Sequence, residues 1–68
     1  MEDLLKAAGF KVIAKEGKFI DLAHGYRIEI ENEALFKLLH QGSVVAPFDD
    51  AAELVQFIRM DMQLNGLL

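Results

Sequence analysis

The sequence predicts an α+β protein in which a small antiparallel β-meander of three to five strands packs against helices. Three turns that end in glycine divide the chain into short apolar segments: Lys15-Glu16-Gly17, Ala23-His24-Gly25 and His40-Gln41-Gly42. The first two separate runs in which apolar and polar residues alternate, as they do in half-buried strands, and glycine supplies the positive φ that a tight turn requires. The element order α-β-β-β-α-β-α predicts helices packed on one antiparallel sheet. At 68 residues the chain is expected to form a single domain, residues 1–68.

The first elements are a short helix and three strands. Residues 2–8 predict the helix, because acidic side chains occupy its first turn and Gly9 follows at the C-terminal cap position. Residues 10–15 and 18–22 predict a hairpin about a glycine turn. Residues 26–31 show the most regular alternation in the chain and predict the next strand.

The turn before residue 26 decides which side chains face the core. A two-residue turn at His24-Gly25 places Asp21 on the core face together with seven apolar residues: Phe10, Val12, Ala14, Phe19, Tyr26, Ile28 and Ile30. A three-residue turn with Gly25 in a bulge shifts the register by one residue, so that Ile20 and Leu22 enter the core face and Asp21 leaves it. The two-residue turn is favoured because it places the larger aromatic area on the core face. The charge of Asp21 favours the three-residue turn, which keeps this carboxylate out of the core.

Residues 32–42 fit two structures. As a helix over 33–41, the segment has Asn32 as N-cap and Gly42 beyond its end. Its apolar side chains then share one arc: Leu35, Phe36, Leu38 and Leu39. As a strand, the same residues divide between two faces and the meander grows to five strands. The cleaner separation of apolar from polar side chains favours the helix.

The last elements are a short strand and a C-terminal helix. Residues 43–48 predict a strand at the edge of the sheet, since Pro47 has no backbone N–H to donate. Asp49 or Asp50 caps a helix over about 50–64, and Asp50 with Glu53 forms a variant of the capping box. Its expected buried stripe consists of Ala51, Leu54, Val55, Phe57, Ile58, Met62 and Leu64.

Composition excludes several classes of function. The chain has no cysteine, which rules out disulfides and thiolate metal sites and is typical of a reducing compartment. It shows neither a basic, apolar leader nor an apolar run of membrane-spanning length, so we expect a cytoplasmic protein without membrane contact. The net charge of −4 argues against a general nucleic-acid binder.

Residues suited to catalysis or metal binding are few. Ser43 is the only serine and threonine is absent, which leaves almost no hydroxyl nucleophile, and no glycine-rich phosphate loop occurs. His24 and His40 could meet Asp21, but a zinc site needs three or four ligands, and both histidines are expected in exposed turns. Asp61 lies in the apolar arc of the last helix, where a carboxylate could have a raised pKa, or at its end in solvent. We therefore expect no enzyme, no cofactor and no metal.

The remaining feature is a surplus of apolar side chains. Hydrophobic residues make up 53% of the sequence and the mean hydropathy is +0.22, which is high for a domain with so much surface. The candidate interaction surface consists of Met60, Met62, Leu64, Leu67 and Leu68. The favoured hypothesis is a small regulatory or accessory protein that acts as a homodimer or docks on a protein partner.

An alternative hypothesis is a nucleic-acid-associated regulator that uses basic residues of the first hairpin. The candidate basic patch consists of Lys11, Lys15, Lys18 and Arg27. Glu29 and Glu31 share its predicted face, and no aromatic side chain points outward from that face to stack on bases. We therefore expect a charge-paired, solvated face and consider a nucleic-acid partner the weaker hypothesis.

Overall fold

The computed structural model describes residues 1–67 as a five-stranded antiparallel sheet with a helix at each end of the chain. The elements are α1 Glu2–Ala7, β1 Val12–Glu16, β2 Phe19–Leu22, β3 Tyr26–Asn32, β4 Leu35–His40, β5 Ser43–Phe48 and α2 Ala51–Leu64. The strands lie side by side in chain order, and each pairs with the next. The predicted α+β class and the antiparallel meander are confirmed, at the upper end of the predicted strand number.

The prediction of a helix over residues 33–41 is wrong, because this segment is β4. Phe36 and Leu38 point to the core and pair with residues of both β3 and β5. Asn32 does not cap a helix. Its Oδ1 instead accepts a hydrogen bond from the backbone N–H of Ala34 at 2.8 Å, which closes the turn between β3 and β4. Pairing on both sides of β4 satisfies its backbone and outweighs the local helical pattern.

The favoured register at the turn between β2 and β3 is also wrong. Ile20 lies opposite Ile28 and is buried, whereas Asp21 lies opposite Arg27 on the other face. The cause is a three-residue turn between β2 and β3, in which His24 has a φ of 67° and Gly25 a φ of 84°. Histidine is one of the few residues with a side chain that enters this left-handed region readily. The core therefore receives the aliphatic residues of β2 rather than its phenylalanine.

The core lies between one face of the sheet and the two helices. Its buried side chains form one cluster: Leu5, Phe10, Ile20, Leu22, Tyr26, Ile28, Phe36, Leu38, Leu54, Val55, Ile58 and Met62. We call this side of the sheet the inner face. The alternate side chains of the strands point to the outer face, and no element of residues 1–67 packs over it.

Helix α2 matches its prediction except at its last turn. The Asp50 carboxylate accepts a hydrogen bond from the backbone N–H of Ala52 at 2.8 Å, as the predicted cap requires. Leu64 was expected in the buried stripe, and this expectation is wrong, since its side chain is 79% exposed. The helical repeat places Leu64 about 120° around the helix from the fully buried Ile58, which turns it away from the sheet.

Candidate interaction surface

The structure divides the five candidate interaction residues. Met60 is 52% exposed and Leu64 is 79% exposed. Met62 is buried in the core, and Leu67 packs against the core while its backbone N–H donates to the Met62 carbonyl oxygen at 2.8 Å. Leu68 lies outside the described residues. Two of the five side chains, Met60 and Leu64, therefore lie open on the surface of α2.

These two residues extend a row of side chains that begins at the sheet. The Phe57 ring lies 5.3 Å from the Phe48 ring of β5, centroid to centroid, and is tilted by 52°. Met60 and Leu64 follow Phe57 at spacings of three and seven residues, so all three share one side of α2. Because Phe57 contacts β5, that side of the helix borders β5. We call Phe57, Met60 and Leu64 the α2 stripe.

Strand β5 adds a second apolar element beside the α2 stripe. It is the outermost strand of the sheet, and Val44 and Val45 are 62% and 42% exposed. Val44 lies opposite Leu39 and Ala46 lies opposite Leu38, so Val45 has no partner in β4 and forms a bulge. Residues 41–48 contain no charged side chain. We call the open side of β5 the β5 edge.

The exposed large hydrophobic side chains gather on this side of the molecule. Five of the seven belong to α2, β5 or the adjoining end of β4: Leu35, Val44, Val45, Met60 and Leu64. The other two, Leu4 and Ile13, lie on α1 and β1 at the opposite edge of the sheet. The exposed apolar side chains are therefore concentrated at the β5 end of the sheet, where the α2 stripe lies over the inner face and Val44, opposite Leu39, lies on the outer face.

The sequence had predicted β5 but had not marked Val44 and Val45 as surface residues. Two signals were available: the uncharged run over residues 41–48 and the edge position indicated by Pro47. Together they describe a strand that has an open edge and no charge to protect it.

The opposite edge strand, β1, has a different chemistry. Its exposed Ile13 is followed by Lys15 and Glu16, and the Lys15 ammonium lies 3.9 Å from the carboxylate of Glu2 on α1. Charged side chains on an edge strand oppose pairing with another strand. The two edges of the sheet are therefore not equivalent.

The outer face carries charges that are paired with each other. Arg27 binds Asp21 through two hydrogen bonds of 2.5 and 3.1 Å, and these bonds hold the pKa of the Asp21 carboxyl below its usual range. The Lys37 ammonium lies 2.9 Å from Glu31, and this contact raises the pKa of Lys37. Such exposed pairs contribute little stability but leave few free charges for a ligand.

The four candidate basic residues do not form one free patch. Arg27 is bound to Asp21, and the Lys18 ammonium lies 3.3 Å from a Glu29 carboxylate oxygen. Lys15 lies opposite the buried Ile20 and is directed toward α1 on the inner side of the sheet. Lys11 is exposed just before β1. The cations are thus divided between the two sides of the sheet, and carboxylates lie within 4 Å of three of them.

Asp61 has a structural partner in the core. The hydroxyl of buried Tyr26 donates a 2.5 Å hydrogen bond to Asp61 Oδ2, and Asn65 Nδ2 lies 3.3 Å from the same oxygen. Burial is the main cause that raises the pKa of Tyr26 to about 12, and the Asp61 carboxylate adds to it. Asp21 lies on the outer face, so the two carboxylates considered for acid–base chemistry lie on opposite sides of the sheet.

The two histidines meet at the turns rather than around a metal. The His40 ring stacks on the Tyr26 ring with the centroids 4.0 Å apart, and its Nε2 donates to the His24 carbonyl oxygen at 3.1 Å. Within residues 1–67, no group of three or more histidine, aspartate or glutamate side chains is placed to hold a metal ion. Within the same residues, no helix has the length and apolar character needed to cross a membrane.

Comparison with models of protein families, with curated proteins and with solved structures gave no match to this chain.

Proposed function

We propose that this chain is a small non-catalytic interaction protein, regulatory or accessory in role, that docks through the α2 stripe and the β5 edge. The observation that carries the proposal is the exposure of Met60 and Leu64 on the side of α2 that borders an uncharged edge strand. We also propose a cytoplasmic location, which the lack of cysteine supports.

The α2 stripe exposes apolar side-chain area to water, and a partner that covers this area gains free energy from its burial. Complete burial of a methionine or leucine side chain is favourable by about 1.5–3 kcal/mol. Met60 is about half exposed and Leu64 about four-fifths exposed, so covering the rest of both contributes about 3 kcal/mol. That corresponds to about a 100-fold gain in affinity. Contacts at Val44 and Val45 add to this figure.

The polar surroundings of the stripe suit an interface rim. Glu53 precedes Phe57 by one helical turn, and Asp49 and Asp50 lie at the start of α2. An apolar centre with charged groups at its border is the usual anatomy of a protein–protein interface. The acidic rim favours a partner that presents apolar side chains bordered by basic or neutral groups.

The experiment compares two double variants that add the same charge to different sides of α2. Met60→Asp with Leu64→Asp alters the stripe, whereas Ala52→Asp with Gln63→Asp alters two exposed positions that lie about 100° around the helix from the middle of the stripe, away from β5. Circular dichroism should show that both variants fold. We expect association to be lost only in the first variant, measured by sedimentation velocity of the pure protein and by cross-linking to partners in cells.

Equal association of the wild-type chain and of the Met60→Asp, Leu64→Asp variant in both assays would overturn the proposal. Equal loss in both double variants would also overturn it, because the effect would then follow added negative charge rather than the stripe.

A further inference from the structure

We infer that the occupant of this surface is a second copy of the chain, joined edge to edge through β5 about a two-fold axis. The inference rests on the proposed function and specifies its partner. In the resulting dimer the two five-stranded sheets form one continuous antiparallel sheet. The two α2 helices lie next to each other on its inner face.

The two edge strands differ in charge. Charged side chains on an edge strand oppose its pairing with another strand. Strand β1 carries Lys15 and Glu16, whereas residues 41–48 around β5 carry no charge. An antiparallel copy of β5 therefore brings no like charges opposite each other.

The bulge and the proline limit where this pairing occurs. Pro47 lies opposite Lys37 in the ladder with β4. A proline in an edge strand directs its backbone nitrogen away from the neighbouring strand and toward the open edge, and this nitrogen has no hydrogen to donate to a further strand. The site of strand pairing is therefore the segment before it, residues 43–46, in which the bulge at Val45 interrupts regular pairing and keeps the contact short. Val44 and Val45 lie in the middle of that segment and are the exposed apolar residues of the strand.

The position of α2 beside β5 also suits a two-fold dimer. A two-fold axis perpendicular to the sheet at the β5 edge keeps both α2 helices on the same face. Phe57 contacts Phe48 of β5, so each α2 stripe lies on the side of its helix that faces the axis. One symmetry operation therefore covers both the strand edge and the stripe. A second copy presents a strand and an apolar helix in the required relative position because its fold is identical.

The acidic rim is compatible with this arrangement. The two α2 helices run antiparallel across the axis, so the residue opposite Glu53 comes from the far end of the partner helix. Eleven residues separate Glu53 from Leu64, which is about 16 Å along the helix. Glu53 of one copy then lies near Leu64 of the partner subunit, and the two copies of Glu53 stay apart.

The size of the contact sets the expected affinity. The described chain exposes 4288 Å² in total, and a standard interface takes about 800 Å² from each partner. A four-residue strand pair with two short helix stripes is smaller than that standard. We therefore expect a reversible dimer with a dissociation constant in the micromolar range.

Single cysteines test the interface directly, since the chain has none of its own. Val44→Cys and Val45→Cys place a thiol on the β5 edge. Ile13→Cys is the matched control, because Ile13 and Val44 are 61% and 62% exposed on opposite edge strands. Under mild oxidation at micromolar concentration, we expect the two β5 variants to form disulfide-linked dimers rapidly and Ile13→Cys to form few.

A second pair of variants measures the equilibrium without cross-links. We expect Val44→Lys to shift the dimer toward monomer by at least tenfold in dissociation constant in sedimentation equilibrium, and Ile13→Lys to leave it unchanged. Circular dichroism verifies that both variants fold. Stronger cross-linking through Ile13→Cys, or a dimer that is insensitive to Val44→Lys, would overturn the inferred interface.

The outcomes separate this inference from the proposed function. A wild-type chain that stays monomeric at every concentration overturns the inference. If cellular cross-linking then still recovers a partner that depends on Met60 and Leu64, the proposed function stands with a different occupant. If no association of either kind depends on these residues, both fail.

Discussion

The burial of the Tyr26 hydroxyl, together with its hydrogen bond to Asp61, predicts a specific loss of stability at alkaline pH. The pKa of Tyr26 is raised to about 12 in the folded protein, against about 10 in an unfolded chain. A raised pKa in the folded state means that stability is fully present below about pH 10 and decreases as the pH rises through 12. At about pH 11 the wild-type protein should have lost about 1.4 kcal/mol, and above pH 12 about 2.7 kcal/mol.

The control is Tyr26→Phe, which keeps the ring in the core and removes the group that ionises. At neutral pH we expect it to be less stable than wild type by about 1.5–3 kcal/mol, the usual range for a lost hydrogen bond to a charged group. Because the variant has no phenol to ionise, the difference in unfolding free energy between wild type and Tyr26→Phe should shrink by about 1.4 kcal/mol between about pH 8 and 11. Urea unfolding followed by circular dichroism measures both proteins across this range.

Spectroscopy gives an independent reading, because Tyr26 is the only tyrosine and tryptophan is absent. The ultraviolet absorbance of the phenolate therefore reports this one side chain. A titration midpoint near 10 in the folded protein would refute the reasoning. Parallel stability curves for wild type and Tyr26→Phe would refute it as well, since other groups would then cause the alkaline loss.

Three further predictions follow from the register and the caps. Leu38→Ala should lower the free energy of unfolding by about 3 kcal/mol and Leu39→Ala by about 1 kcal/mol, as measured by urea titration. The difference is expected because only Leu38 is fully buried. Equal losses would contradict the strand assignment. Asp50→Ala should cost about 1 kcal/mol through its lost cap, in the same assay, and no loss would contradict it. Arg27→Met should return the pKa of Asp21 to its ordinary value in a carboxyl NMR titration, and an unchanged pKa would contradict the ion pair. In the wild-type protein, the stability from the pair is present above the ordinary pKa of aspartate and is lost as the pH falls through the lowered pKa of Asp21. The variant should lack this acid-dependent loss.

The meander was predictable because its signals are local. A glycine two or three residues after an alternating run marks a turn, whatever the rest of the chain does. The fourth strand was not predictable in this way. Apolar residues at 35, 36, 38 and 39 satisfy a helical arc, and the deciding factor is pairing with β3 and β5, which the pattern within the segment itself does not show.

The register failed at a single turn. The left-handed conformation of His24 adds the third turn residue, and histidine gives only a weak signal for it. Asp21 was the better indicator, since a carboxylate on the core face needs a partner there. It leaves that face and binds Arg27 instead.

The candidate surface was half predictable. The apolar surplus drew attention to the end of α2, but residue type alone could not show that Met62 fills the core while Met60 does not. That difference follows from where the sheet lies relative to the helix. Val44 and Val45 were missed for the same reason, because the exposure of a strand depends on which strand is last in the sheet.

The side-by-side order of the strands has a consequence for how the chain reaches its native state. Each strand pairs with the one that precedes or follows it, so every ladder can form by closing a short hairpin. Sheets built from distant segments fold slowly because long loops must close first, and this one avoids that delay. The long-range step is the meeting of the two ends, where Arg59 of α2 donates to the carbonyl oxygen of Ala8 after α1. We expect rapid assembly of the hairpins, followed by a final docking of the terminal helices.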